Sequence, residues 1–201
     1  MKSFIYKDKK ITPSKVICIG RNYKEHIKEL KNELPDSMVL FLKPNSAITN
    51  ELFYFNENTH YECEITFLIK DTKIVAAGIG FDLTKRDVQD NLKQKGLPWE
   101  RAKAFDNSAV FSEFVEIDKI DELNFELFIN NELKQKGSIK EMIYHPLKII
   151  EEVGTFMSFE DNDIIMSGTP KGVGSYKKDD NFFAKLYDGE KLILQKEWRV
   201  I

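Results

Sequence analysis

Apolar and polar residues alternate over positions 61–69, and this period of two is typical of a β-strand. Glu62 and Glu64 fall on one face of the predicted strand. The opposite face is apolar and carries Tyr61, Cys63, Ile65, Phe67 and Ile69. The pattern therefore predicts two neighbouring carboxylates on the polar side of a strand that packs against a core.

These carboxylates have two explanations. A polar strand face is most often solvated, and in that case Glu62 and Glu64 contact only water. If the face is buried, the two like charges repel each other, and a divalent cation relieves the repulsion. Oxygen ligands of this kind suit a hard ion such as Mg2+. Asp82 follows a second apolar run, at 74–81, and is expected to swing back as a third oxygen ligand.

The remaining pattern predicts a strand-rich chain with polar loops at 49–60 and 96–105. Single strands are expected at 3–7, 15–19, 38–42, 110–115 and 163–166. Two hairpins, with turns at Asn130-Asn131 and Asp188-Gly189, are expected to join 123–129 to 132–136 and 182–187 to 191–200.

Helical signals are few and short. The spacing of apolar residues predicts a first helix at 23–30, with Asn22 as its cap. A capping-box pattern at 84–87 predicts the start of a second helix, which Gly96 ends. A third is expected at 145–154, where a proline occupies the first turn.

His26 and Glu29 lie three residues apart on the first predicted helix and are therefore neighbours. A carboxylate beside an imidazole fixes the tautomer of the ring and raises its basicity. The pair is accordingly a candidate general base. The alternative is an ion pair on the surface of a short helix, which contributes little to stability.

Other polar residues are expected near the carboxylates. His60 lies on the same strand face as Glu62 and is expected beside the ligands rather than among them. Gln89 falls in the first turns of the second helix, close to Asp82. Lys103, in the predicted loop at 96–105, is either exposed to solvent or balances the negative charge of the cluster.

A glycine-rich loop is predicted at 167–174, directly after a strand. Its spacing differs from that of a P-loop, so nucleotide binding by that motif is excluded. The loop either presents Thr169 and backbone N–H groups to an anion or is only a turn.

Composition limits the class of protein. The 201 residues, 42% of them hydrophobic and 31% charged, are typical of one soluble domain spanning 1–201. A net charge of -3 without a basic cluster argues against a nucleic-acid partner. The first residues lack the apolar run of a signal peptide, and no apolar stretch is long enough to span a membrane. Cys18 and Cys63, both in predicted strands, suggest buried thiols and a reducing, cytoplasmic location.

Several segments from about Val16 to the C-terminus form a set whose joint order and spacing are specific. They are Gly20-Arg21-Asn22-Tyr23 with His26 and Glu29, Phe41-Leu42-Lys43-Pro44, His60 to Glu64, Asp82 to Gln89, Lys95 to Trp99, Ala102-Lys103 and Gly168 to Gly174. With these segments the chain resembles the fumarylacetoacetate hydrolase family, in its small acylpyruvase and oxaloacetate decarboxylase branch.

The resemblance implies an α+β fold of layered mixed β-sheets that form a roll with a few short helices. It also implies a homodimer, and Mg2+ or Mn2+ bound by Glu62, Glu64 and Asp82. Larger members of the family carry an extra N-terminal domain that contributes to catalysis. In the small branch the His26–Glu29 pair is expected to do that work.

The implied function is a divalent-metal-dependent hydrolase or lyase that acts on C–C bonds of 2,4-dioxo acids. Acylpyruvate hydrolysis and oxaloacetate decarboxylation both fit, each through a metal-bound pyruvate enolate. The catalytic residues are then His26, Glu29, Lys103 and Gln89, and the residues expected to bind substrate are Arg21, Thr169 and Arg86.

Two alternatives remain. An isomerase or tautomerase of an oxo-dicarboxylic acid, acting on oxaloacetate or on a 2-hydroxyhepta-2,4-dienedioate, uses the same enolate and only moves a proton. A non-catalytic binding module holds a cation for structure, with complete ligation by protein atoms and no role for His26.

Overall fold

The computed structural model describes residues 1–31 and 33–201, and most of this backbone is β-strand. The helices of the described residues are α1 (Lys24–Glu29), α2 (Arg86–Gln94), α3 (Glu100–Lys103) and α4 (Pro146–Gly154), with 3-10 turns at Asn45–Ala47 and Ile139–Glu141. The strands are β1 (Phe4–Tyr6), β2 (Lys9–Ile11), β3 (Lys15–Gly20), β4 (Val39–Pro44), β5 (Ile48–Thr49), β6 (Thr59–Tyr61), β7 (Cys63–Lys70), β8 (Lys73–Asp82), β9 (Thr84–Lys85), β10 (Ala109–Phe111), β11 (Val115–Glu116), β12 (Leu123–Ile129), β13 (Glu132–Ser138), β14 (Ile164–Met166), β15 (Gly174–Ser175), β16 (Asn181–Asp188) and β17 (Lys191–Arg199).

The largest sheet has the strand order β4-β3-β14-β7-β8-β10-β5, with β11 also paired to β8. β14 is parallel to β3 and β10 is parallel to β5, whereas the central pair β7–β8 is antiparallel. A second, antiparallel sheet has the order β13-β12-β16-β17. Phe81 of β8 contacts Phe182 and Trp198 of this second sheet at ring-centroid distances of 5.4 and 4.9 Å. The curled, layered mixed sheets confirm the predicted α+β class.

The central strand β7 is buried on both faces, which the alternating pattern did not predict. Its apolar face joins the main core through Cys63, Ile65 and Phe67. Leu68, on the other face, joins a second apolar cluster. Glu64, on the same face as Leu68, is therefore enclosed, and the interpretation of a solvated acidic face is wrong.

The two predicted hairpins are present. Asn130 and Asn131 join β12 to β13 with φ of 51° and 67°, a left-handed conformation that asparagine tolerates. Gly189 has φ of 59° in the turn between β16 and β17. Turn chemistry is local, so the sequence pattern identified both hairpins correctly.

Asn22 does not cap the first helix, as the sequence pattern suggested. Tyr23 is the N-cap of α1 and makes no side-chain capping bond. The fully buried Asn22 amide instead donates to the carbonyls of Ser167 and Tyr144 at 2.7 and 2.9 Å. Its oxygen accepts from the Tyr144 N–H at 2.6 Å. Asn22 therefore connects the start of α1 to two segments more than 120 residues away.

The predicted capping box at 84–87 is also absent. Lys85 is the N-cap of α2 and has no side-chain capping bond, because Thr84 lies in β9 and its hydroxyl contacts the Asp82 carbonyl at 3.3 Å. Gly96 does follow the helix, with a φ of 60°. Two predicted loops contain regular structure: 49–60 includes most of β6, and 96–105 includes α3.

Two glycines hold the loop at 167–174 against the rest of the fold. Gly168 and Gly172 have φ of 101° and 98°. A Cβ at Gly168 would lie 2.7 Å from the Asn22 Cβ, and one at Gly172 would lie 2.1 Å from the Lys134 carbonyl oxygen of β13. The backbone of the loop therefore packs closely against Asn22, just before α1, and against β13.

Both cysteines are buried, unpaired and in strands, as predicted. Burial raises the pKa of each thiol well above its ordinary value, which keeps Cys18 and Cys63 protonated. Among the described residues, the helices are too short and too polar for any of them to cross a bilayer.

We expect Asn22→Ala to lower the free energy of unfolding by about 2–4 kcal/mol, because buried groups at Ser167 and Tyr144 lose their partners. Urea denaturation followed by circular dichroism measures the change. Asn91→Ala, at an exposed position of α2, is the control and should change stability by less than about 0.5 kcal/mol. Equal stability of the two variants would contradict the structural role of Asn22.

Candidate active site

Three carboxylates converge where β7 and β8 lie side by side. Glu64 is in β7 opposite Gly80, Asp82 is the last residue of β8, and the Asp82 N–H donates to the Glu62 carbonyl at 2.9 Å. One carboxylate oxygen from each of Glu62, Glu64 and Asp82 lies within 4.8 Å of the others. Their exposed fractions are 6%, 2% and 1%. The antiparallel register thus collects three acids in the interior, and it brings Asp82 to the Glu62–Glu64 pair as expected.

Two buried lysines and an arginine form ion pairs with two of these three acids. Lys103 Nζ lies 2.8 Å from Glu62 Oε2 and 2.6 Å from Asp82 Oδ2. Lys43 Nζ lies 2.9 Å from Asp82 Oδ1, and Arg86 forms an ion pair with Glu62. Lys103 is therefore part of the cluster, which excludes the interpretation of a solvent-exposed lysine.

The three acids differ in how they are compensated. Burial favours the neutral form of Glu62, but Lys103 and Arg86 outweigh it and hold the pKa of Glu62 well below its usual range. Burial raises the pKa of Glu64 well above its usual range, and the nearby Asp82 adds to the shift. Glu64 accepts the Gly168 N–H at 2.8 Å and, among the described residues, forms no ion pair. Glu64 is thus the acid whose charge is left unmatched.

This donor set fits a hard divalent cation. It offers three carboxylates and no sulfur or imidazole ligand among the described residues, which is the ligand type that Mg2+ and Mn2+ prefer. A dication would also supply the charge that Glu64 lacks. Glu62, Glu64 and Asp82 are therefore the residues that would hold it.

His26 and Glu29 form the expected pair on α1. His26 Nδ1 lies 3.0 Å from Glu29 Oε2; the histidine is buried at 6% exposure, whereas 31% of the Glu29 side chain is exposed. The other oxygen of Glu29 accepts the Gly172 N–H at 2.9 Å. The pair leaves His26 Nε2 free of Glu29, and the loop at 167–174 holds the carboxylate in place.

Arg86 organises the polar residues at the start of α2. Its Nη1 donates to Gln89 Oε1 at 2.6 Å, and its Nε lies 3.4 Å from His60 Nδ1. Burial and the nearby Arg86 lower the pKa of His60. His60 therefore neighbours Arg86 and lies outside the carboxylate group, as the sequence suggested.

Thr169 is held by side-chain hydrogen bonds, and Arg21 has a left-handed backbone conformation. The Thr169 hydroxyl donates to the Cys63 carbonyl at 2.8 Å and accepts from Gln135 Nε2 at 2.9 Å. Gln135 Oε1 in turn accepts the Cys63 N–H at 3.0 Å, so both residues fix the backbone between Glu62 and Glu64. Arg21 follows β3 with a φ of 58°.

One cleft collects nearly all of the predicted site residues. It is lined by Arg21, His26, Glu62, Glu64, Arg86, Gln89, Lys103 and Thr169, together with Ile19, Gly20, Leu30, Phe41, Lys93 and Trp99. Asp82 and Glu29 are in direct contact with members of that lining, Lys103 and His26. The catalytic and substrate-binding roles of these residues stay predictions.

Two cations of the site were not identified from the sequence. Lys43 is completely buried and donates to the Leu83 carbonyl and Ser108 hydroxyl at 3.3 and 3.0 Å. No local pattern distinguishes it from an exposed lysine. Lys93 did have a signal, because it follows Arg86 and Gln89 at the i+7 and i+4 positions of one helix face.

Comparison with known proteins begins with a family model. Residues 15–195 match the model described as fumarylacetoacetate (FAA) hydrolase C-terminal. The mitochondrial oxaloacetate tautomerase FAHD1 of Bos taurus is 39% identical over 191 residues, covering 86% of each chain. The Escherichia coli oxaloacetate tautomerase YcgM is 34% identical over 199 residues, covering 89% of this chain and 90% of its own. The mitochondrial oxaloacetate decarboxylase of Dictyostelium discoideum is 34% identical over 186 residues, covering 83% and 85%.

Solved structures show the same likeness over the whole length. A candidate fumarylacetoacetate isomerase/hydrolase from Oleispira antarctica has a TM-score of 0.92 at 36% identity, covering 100% of both chains. Fumarylpyruvate hydrolase from Pseudomonas aeruginosa, solved with Mn2+ and pyruvate, has a TM-score of 0.85 at 26% identity, covering 97% of this chain and 92% of its own.

Glu64→Gln should stabilise the metal-free protein at pH 8. The pKa of Glu64 is raised on folding, so its favourable contribution is present at low pH and is lost as the pH rises. In EDTA we expect the variant to melt about 3 °C or more above the wild type at pH 8, with a smaller difference at pH 5. Differential scanning fluorimetry measures both.

The same variant should lose the rise in melting temperature that Mg2+ gives the wild type, because a neutral amide replaces one carboxylate ligand. Glu57→Gln, at an exposed position, is the control and should behave as the wild type. If the variant is less stable than the wild type in EDTA at pH 8, the conclusion that the charge of Glu64 lacks a partner is wrong.

Proposed function

The chain belongs to the fumarylacetoacetate hydrolase family, and on that basis we propose that it is an enzyme that forms the enolate of a small 2-oxo acid. We place oxaloacetate keto–enol tautomerisation first, ahead of the cleavage reactions that the family resemblance implied, because two similar relatives carry that name. The observation that carries the proposal is the position of the His26–Glu29 pair in the same cleft as the acidic cluster.

Tautomerisation needs a base near the carbon next to the 2-oxo group. His26 takes that proton, the C–H electron pair becomes the C2=C3 bond, and the C2=O π pair moves to the oxygen. The imidazolium then passes the proton to that oxygen, directly or through water, which gives the enol and regenerates the base. Glu29 orients the imidazole through Nδ1 and stabilises the imidazolium once it forms. The reverse transfer returns the proton to carbon, so a single base serves both directions.

Negative charge on the 2-oxo oxygen is the main energetic barrier. Glu62, Glu64 and Asp82 would hold a divalent cation, which would supply positive charge to offset it. Lys103 adds a buried ammonium whose pKa is raised by Asp82 and Glu62 against the effect of burial, so it stays charged. Gln89 offers amide N–H groups, since its oxygen already accepts from Arg86.

Two arginines are proposed to hold a substrate carboxylate, with Thr169 in support. Arg21 and Arg86 provide planar guanidinium groups that bind a carboxylate through two hydrogen bonds. Thr169 is bound to the protein at its hydroxyl oxygen, so we assign it a supporting role in shaping the cleft together with the loop backbone.

C–C bond cleavage is the second candidate function. A relative is named oxaloacetate decarboxylase, and a structural neighbour is a fumarylpyruvate hydrolase. Decarboxylation breaks the C3–C4 bond of oxaloacetate and leaves the same enolate. Hydrolysis of an acylpyruvate also requires a water that His26 deprotonates for attack on the 4-carbonyl. Mg2+ or Mn2+ as the cation and a homodimeric assembly complete the proposal.

Removal and return of the metal tests this proposal. We expect the wild type to accelerate oxaloacetate enol–keto conversion, followed by ultraviolet absorbance, and EDTA to abolish the effect. Adding Mg2+ or Mn2+ should restore it. Decarboxylation of oxaloacetate and hydrolysis of acetylpyruvate are measured in parallel, and the fastest metal-dependent reaction identifies the activity. If none of the three reactions shows metal-dependent turnover, the proposed enzymatic activity is refuted and a cation-holding binding module is favoured.

His26→Gln should reduce kcat by about 10²–10⁴-fold, because the base is lost while the carboxylate cluster is intact. Mn2+ affinity, measured by electron paramagnetic resonance, should stay within about threefold of the wild type. Glu29→Gln should reduce kcat less, because the base remains but is poorly oriented. Glu25→Gln, which removes the exposed partner of Lys28 on the same helix, is its matched control. Unchanged kcat in His26→Gln would remove the histidine from the mechanism.

A further inference from the structure

We propose that Lys93 binds the second carboxylate of a dicarboxylic oxo acid and so selects dicarboxylates over monocarboxylic 2,4-dioxo acids. The inference deepens the proposed function and rests on it. It starts from Lys93 itself, a cation in the cleft that has no role in the proposed reaction. The substrate class that it names is a short oxo-dicarboxylate with one anionic group at each end.

Lys93 is placed by the same helix face that supplies two predicted site residues. Arg86, Gln89 and Lys93 follow an i, i+3, i+7 spacing on α2, and all three line the cleft. A rise of 1.5 Å per residue puts Lys93 about 10 Å beyond Arg86 along the helix axis. Arg86 contacts Glu62, so the helix extends from the acidic cluster at its start to the half-buried Lys93 near its end.

The Lys93 ammonium has no acidic partner within the described residues. Its Nζ lies 5.4 Å from the centroid of the Trp99 ring, which is its one described contact, and it forms no ion pair. The two other lysines of the site behave differently, because Lys43 and Lys103 are each bound to Asp82. The tryptophan restricts Lys93 without neutralising it, which leaves the charge available for a ligand.

Electrostatics around Lys93 favour an anion. Burial, with Arg86 and Arg21 adding to it, lowers the pKa of Lys93 to about 8, although Asp90 and Glu62 act in the opposite direction. At neutral pH the amine is still mostly protonated. An incoming carboxylate would relieve the repulsion among these three cations.

A dicarboxylate fits this arrangement better than a monocarboxylate. The 2-oxo carboxylate end of the substrate is proposed to lie at Glu62, Glu64 and Asp82, so the other end extends away from the cluster. In oxaloacetate that end is a second carboxylate, whereas in acetylpyruvate it is a neutral methyl ketone. An unpaired, half-buried cation discriminates between the two because only the anion compensates its lost hydration.

Kinetics on two substrates tests the assignment. Lys93→Gln should lower the ratio of kcat/KM for oxaloacetate over acetylpyruvate at least tenfold, mainly through KM for oxaloacetate. Lys93→Arg should keep the ratio within about threefold. Lys95→Gln, an exposed lysine just past the end of α2, is the matched control and should leave it unchanged. A ratio that Lys93→Gln does not change would overturn the inference while the enzyme itself stands.

Equilibrium binding gives a readout that does not depend on turnover. With Mg2+ present, calorimetry should show at least tenfold tighter binding of L-malate than of 2-hydroxybutyrate to the wild type, reduced to within about threefold in Lys93→Gln. A wild type that turns over no oxo acid but discriminates between these ligands would refute the proposed function and support the role of Lys93. A wild type that binds both ligands equally, or a Lys93→Gln variant that still discriminates, would overturn that role.

Discussion

The burial of three like charges at the meeting of β7 and β8 is the constraint on which the site depends. Carboxylates this deep cost several kcal/mol each unless cations or hydrogen bonds compensate them. Glu62 and Asp82 form ion pairs with Lys43 of β4, Lys103 of α3 and Arg86 of α2. The short helices α2 and α3, which add little to the core, are therefore best understood as carriers of these cations. Glu64, held only by a backbone N–H, is the one acid of the cluster that forms no ion pair with the described residues.

Much of this arrangement could be predicted from the sequence where the signal is local. Alternation identified β7 and its acidic face, and turn residues identified both hairpins. The motif set identified the acids and the His26–Glu29 pair. What could not be predicted depends on distant contacts. Nothing in the neighbourhood of Lys43 reveals that its ammonium is in the core.

The failed capping predictions have the same cause. Asparagine and threonine before a helix usually bond the first free N–H groups of that helix. Asn22 instead bonds Ser167 and Tyr144, and Thr84 lies in a strand beside Asp82. Asn22 thus bonds partners that only the folded chain provides, and the Thr84 hydroxyl also accepts from the distant Lys103. Where a residue expected to cap a helix does not do so, its side chain instead connects segments that lie far apart in the sequence and meet around the cleft.

Gly172 illustrates how such a joint constrains the chemistry. Its N–H holds the carboxylate that orients the candidate base, and a Cβ at this position would clash with the Lys134 carbonyl of β13. No other residue type fits there without moving the loop and, with it, Glu29. In a saturation mutagenesis screen scored by activity, this glycine would therefore rank with the reactive side chains, although it has no functional group of its own. The effect of substitutions at Gly172 would therefore show how the imidazole is held in place, just as substitutions at His26 would show its reactivity.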